Sequence, residues 1–149
     1  MTTCRQRYHH LWSIYVPGIV VAMVLFAFHT LVIYRTARFI TTRSEELTLC
    51  LGSDLAAPIL IATSFLILFI THLGEAAVWA LLFMRSGQFE DYGECMYFAG
   101  TSLTALGYGD IVLRTPWRGL GPIMATNGLL MFGCSTAFLF LIIQHAWKI

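Results

Sequence analysis

The chain has 149 residues, of which 58% are hydrophobic and only 11% charged, and its formal net charge is +1. That composition, with a positive mean hydropathy, belongs to a membrane protein. No nucleotide-binding, catalytic or nucleic-acid motif stands in it, so neither an enzyme nor a nucleic-acid partner has residues to rest on.

A helix needs about 20 apolar residues to cross a hydrocarbon core. Three stretches qualify: Ile14 to Tyr34, Ala57 to Met84 and Leu120 to Trp147. The N-terminus is polar and the first stretch is of span length, so no cleavable signal is expected. Arg35 and Arg38 close that stretch without a longer ladder of arginines through it, which argues against a voltage sensor. The polar segment Arg35 to Asp54 reads as a loop. In the second stretch His72 and Glu75 are three residues apart and share a helical face. Ionisable groups at that depth mark functional sites by default. Their simplest role is a structural contact; the alternatives are a proton-sensitive switch, or a metal site needing further ligands such as His29.

Between the second and third stretches lies Arg85 to Gly119, long enough for a short helix that enters the membrane and returns. Phe89-Glu90-Asp91-Tyr92 would begin that helix, with Glu90, Asp91 and Glu94 in the first turn, where the helix dipole favours carboxylates. Non-helical backbone at membrane depth is tolerable only where protein shields it or where it lines a watery path. The run Thr104-Ala105-Leu106-Gly107-Tyr108-Gly109-Asp110 follows. Gly107 and Gly109 can take positive φ, which a strand needs if its carbonyls are all to face one way, and Tyr108 between them packs outward. In the third stretch Pro122 falls in the first turn, where a missing donor costs little. Gly128 and Gly133 serve there either as a bend or as small-residue packing positions, and Asn127 faces either a cavity or a neighbouring helix. Cys4, Cys50, Cys95 and Cys134 show no zinc-like spacing, and Cys134 sits within a span, so no disulfide framework is expected.

The Thr104 to Asp110 run resembles the selectivity filter of potassium channels. The order helix, re-entrant helix, filter, helix over about Ala57 to Trp147 resembles their pore domain. The resemblance implies an all-α membrane protein with three transmembrane helices, a re-entrant pore helix and a filter loop, assembled as a homotetramer because a ring of carbonyls needs several chains. It divides the chain into an N-terminal segment, 1–56, with an extra transmembrane helix and a cytoplasmic loop, and a pore domain, 57–149. That domain would hold an outer helix at 57–84, the pore helix and filter at 89–113, and an inner helix at 120–147. It implies potassium ions at Leu106, Gly107 and Tyr108, within a filter of Ala105, Leu106, Gly107, Tyr108 and Gly109, and no organic cofactor. The implied partners are the lipid bilayer and three further copies of the chain, in a plasma or inner cell membrane.

Two departures from the family stand out. Potassium channels usually place a threonine where this chain has Ala105, so a ring of hydroxyls at the innermost ion site is missing; Thr104, one residue earlier, would face the pore helix. Behind the filter, many members pair the aspartate with a tryptophan and a glutamate of the pore helix. Here Asp110 remains, but those positions read Tyr97 and Thr101, so a Tyr97 hydroxyl could donate to Asp110 while the acidic partner is absent. The implied function is a passive potassium-selective channel, with Gly128, Gly133, Asn127, His72 and Glu75 as candidates for gating. The alternatives are a weakly selective cation channel, through Ala105, and a non-conducting channel-like sensor using His72 and Glu75. The resemblance also sets the filter outside and the C-terminus in the cytoplasm. On that orientation Arg35, Arg38, Arg43 and Lys148 lie inside, against Arg5, Arg7, Arg85, Arg114 and Arg118 outside, so the positive-inside rule casts no vote. With no hydrophilic segment after Trp147, no cytoplasmic ligand-sensing domain is expected.

Overall fold

The computed structural model describes residues 4–147, and side chains over 12–147. Lys148 and the side chains of Arg5 and Arg7, used in the orientation count, lie outside the described residues. The described chain is helical: α1 spans Cys4–Leu51, α2 Ser53–Arg85, α3 Tyr92–Leu103 and α4 Leu120–Trp147, with one 3-10 turn at Trp117–Gly119 ahead of α4. Three of these helices are long and apolar enough to cross a membrane.

The loop expected over Arg35 to Asp54 is instead helix. α1 continues through Arg35 to Leu51 because that stretch, though polar, holds neither proline nor glycine. It stops at the first glycine after that stretch: Gly52 has φ +77 and donates its N–H to the Thr48 carbonyl at 3.0 Å. At 1.5 Å per residue the 48 residues of α1 extend about 72 Å, more than twice a hydrocarbon core, so only part of it can be a span.

The chain separates into two compact units. One comprises Glu75–Leu130 with α1 as far as Phe26. Its centre is aromatic: Trp79 stacks on Phe83, Phe83 meets Phe98 edge to face at 5.4 Å, and Phe89 packs on Phe98 at 5.6 Å. α3 presents Cys95, Phe98, Ala99, Ser102 and Leu103 to this core, an i, i+3, i+4, i+7, i+8 pattern that gathers them on one face. The second unit comprises Ala27–Gly74 and α4 from Met131 onward. There Ile40, Leu60, Leu68, Phe138 and Ile142 form the core, contributed by α1, α2 and α4. In lipid such a core gains little from leaving water, so its cohesion rests on close packing and interhelical hydrogen bonds.

Candidate functional site

α3 and the segment after it form the most closely specified part of the chain. Asp91 caps α3, its carboxylate accepting the Glu94 N–H at 3.2 Å, and Glu94 lies in the first turn where the dipole favours it. At the other end the Thr104 hydroxyl turns back and donates to the Gly100 carbonyl at 2.8 Å. That places the Thr104 hydroxyl against α3.

The backbone from Ala105 to Gly109 alternates in hand. Ala105 has φ +56, Gly107 +48 and Gly109 +80, while Leu106 and Tyr108 lie outside the positive region. Residues that alternate in the sign of φ can turn successive N–H groups to one side of the chain, unlike a regular strand, where they alternate. The amides of Leu106 and Gly107 both donate to the single Thr101 carbonyl, at 2.9 and 3.0 Å. Glycine was anticipated at two of the three left-handed positions; the third is Ala105, a side chain held where few residues go without cost.

Tyr97 donates its hydroxyl to Asp110 at 2.7 Å, and the other carboxylate oxygen of Asp110 accepts the Ile111 N–H at 3.0 Å. The hydroxyl of Tyr97 holds the Asp110 carboxyl below its ordinary value, and the same bond raises the Tyr97 phenol. The Thr101 hydroxyl donates to the Tyr97 carbonyl at 2.9 Å and takes no part in that pair. Two supports escaped the sequence reading. Buried Gln88 accepts the Arg114 N–H at 3.2 Å, and Arg118 donates to the carbonyl of buried Leu113 at 3.0 Å, so the return segment is tied at both ends.

α4 enters through Gly128. A Cβ at that position would stand 2.7 Å from the carbonyl carbon and 2.9 Å from the Cα of Leu103, the last residue of α3, whereas one at Gly133 would meet nothing within 4 Å. Close approach therefore accounts for Gly128 and leaves Gly133 unconstrained. Asn127 is buried beside it. In the second unit His72 stacks on Phe132 at 4.0 Å and shares Ser135 with His29, a residue that sequence spacing alone could not assign. Glu75 is buried at 1% exposure.

A family model described as "Ion channel" matches residues 59–145, more than half of the chain. The chain belongs to this ion-channel family. The match begins within α2, takes in α3 and the alternating segment, and ends near the end of α4, leaving α1 outside it. No curated protein and no solved structure matches the chain. Family and helices together make this a multi-pass membrane protein with the all-α architecture of a small channel carrying an additional N-terminal helix.

Proposed function

We propose that this ion channel is a passive, potassium-selective one, a homotetramer whose filter is the segment Ala105 to Gly109, in a plasma or inner cell membrane. The observation that carries this reading is the alternation of hand at Ala105, Gly107 and Gly109. With the Leu106 and Gly107 amides turned toward Thr101 of α3, the carbonyls of Ala105 and Leu106, which share those peptide planes, are directed the other way. Four such segments about one axis would stack rings of carbonyl oxygens able to replace the water of a potassium ion.

Further support comes from exposure. Leu106 and Tyr108 are 56% and 67% exposed on the single chain. Leu106 and Tyr108 are bulky apolar groups that neighbouring copies would cover. Potassium would occupy the carbonyl sites of Leu106, Gly107 and Tyr108. The innermost site lacks a hydroxyl ring, because Ala105 has none and the Thr104 hydroxyl is spent on Gly100. A specific second reading follows from that pair of residues: a channel that prefers potassium weakly over other monovalent cations. On either reading the conducting machinery would lie from residue 57 onward, in α2, α3 and α4.

Two measurements test the proposal. Light scattering of the detergent-solubilised protein should give four chains of 16.7 kDa per particle. Liposomes carrying it should release potassium faster than empty ones. A monomer without flux would overturn the reading.

A further inference from the structure

The second unit holds a polar knot in apolar surroundings. His29 of α1 and Ser135 of α4 are buried, and His72 of α2 is half-buried. The Nε2 atoms of the two histidines reach the same Ser135 Oγ, at 3.0 Å from His29 and 3.1 Å from His72. A serine hydroxyl has one proton, so it can donate to only one imidazole, and the other must present its own N–H. The two rings stand 4.9 Å apart, and the His72 ring is oriented by its stack on Phe132. Both therefore aim the same nitrogen at one point. Glu75 follows His72 by three residues on the unbroken helix α2, which sets its carboxylate on the His72 face.

We propose that His29 and His72 form a binding site for a divalent transition-metal ion of the zinc class, with the Ser135 hydroxyl beside them and the Glu75 carboxylate one helical turn from His72 on α2. The donor chemistry selects the ion. Imidazole nitrogens suit zinc and its neighbours, whereas magnesium and calcium demand oxygen ligands almost throughout. The carboxylate offsets part of the ion's charge, which an apolar setting requires. Ligand atoms of His29 and His72 lie within 4.8 Å of each other. In tetrahedral geometry zinc–nitrogen bonds of about 2.1 Å set two ligands about 3.4 Å apart, so loading draws the two nitrogens together by up to about 1.4 Å. Small side-chain rotations supply that movement. A bound ion would cross-link α1 to α2, with Ser135 bringing α4 into the same contact.

The test uses full-length protein in detergent, stripped by a chelator and titrated with Co2+, whose visible absorption reports tetrahedral coordination. The expected result is one Co2+ per chain with tetrahedral absorption, displaced by Zn2+. His29→Asn and His72→Asn, which keep polarity and approximate size, should each weaken binding by at least about 100-fold, and Ser135→Ala by about 10-fold. A double His9→Ala, His10→Ala variant, which removes the adjacent histidines near the N-terminus, should bind as the parent does. Native elution is confirmed for each variant, and His29→Gln or His72→Gln replaces the corresponding asparagine variant if it fails to fold. No Co2+ uptake by the folded parent, unchanged affinity in the His29 and His72 variants, or loss only in the His9 and His10 variant overturns the proposal. The assay reads metal without any ion flux, so its outcome is independent of the conduction reading.

Discussion

Replacing Gly128 with alanine probes the contact that seats α4 against the end of α3. The added Cβ would fall about 0.7 Å short of the 3.4 Å at which ordinary contact with the Leu103 carbonyl carbon begins, and the obstruction is backbone, so no side chain can swing aside. Overpacking of this kind costs about 1–3 kcal/mol. Removing a glycine from a helix interior returns about 0.5–1 kcal/mol. The net loss is about 0–2.5 kcal/mol, and at about 2–4 °C per kcal/mol for a chain of this size the Tm should fall by up to about 10 °C. Gly133→Ala is the internal control: with nothing within 4 Å of its Cβ, only the favourable backbone contribution remains and the Tm should hold or rise. Thermal unfolding of both variants in one detergent, followed by tryptophan fluorescence, makes the comparison. A Gly128→Ala protein as stable as Gly133→Ala would refute the close approach.

Tyr97→Phe removes the bond to Asp110. Because the folded Asp110 carboxyl titrates below its ordinary 3.8, the stability it contributes is present above that value and is lost as pH falls through the depressed one. Tyr97 titrates above its ordinary 10.0, so its share is present below pH 10.0 and is lost as pH rises through the raised value. The Tm difference between parent and Tyr97→Phe should therefore be a plateau at neutral pH that closes at both ends; a pH-independent difference would contradict the pairing. Gln88→Leu leaves the Arg114 N–H without its partner and should cost about 1–3 kcal/mol, read as a lower Tm. At Ala105, φ +56 favours glycine and penalises a β-branched side chain. Ala105→Gly should match or exceed the parent in Tm and Ala105→Thr should fall below it, while the threonine variant alters single-channel conductance.

The long apolar stretches were legible because crossing a hydrocarbon core fixes their length, and α2 and α4 fall within a few residues of Ala57 to Met84 and Leu120 to Trp147. The far end of α1 was not, because charged residues such as Arg38, Arg43 and Glu46 suit an exposed helix as well as a loop, and only Gly52 marks the stop. Carboxylates at the start of α3 were readable from dipole chemistry, but Glu90 precedes the helix and Asp91 is its cap, which leaves Glu94 alone of the three in the first turn. The Tyr97 to Asp110 bond was anticipated from the resemblance. The supports from Gln88 and Arg118, the seating of Gly128 on Leu103 and the meeting of His29 with His72 join residues distant in sequence or on separate helices. Helical periodicity fixes which side chains share a face, but it does not fix which face meets which neighbour.

The central claim is tested most directly by the reversal potential of the purified protein in a planar bilayer under opposed potassium and sodium gradients. A value close to the potassium equilibrium potential is the result expected if the carbonyls from Leu106 to Tyr108 suffice without a hydroxyl at Ala105. A value near zero, with current flowing, would contradict potassium selectivity.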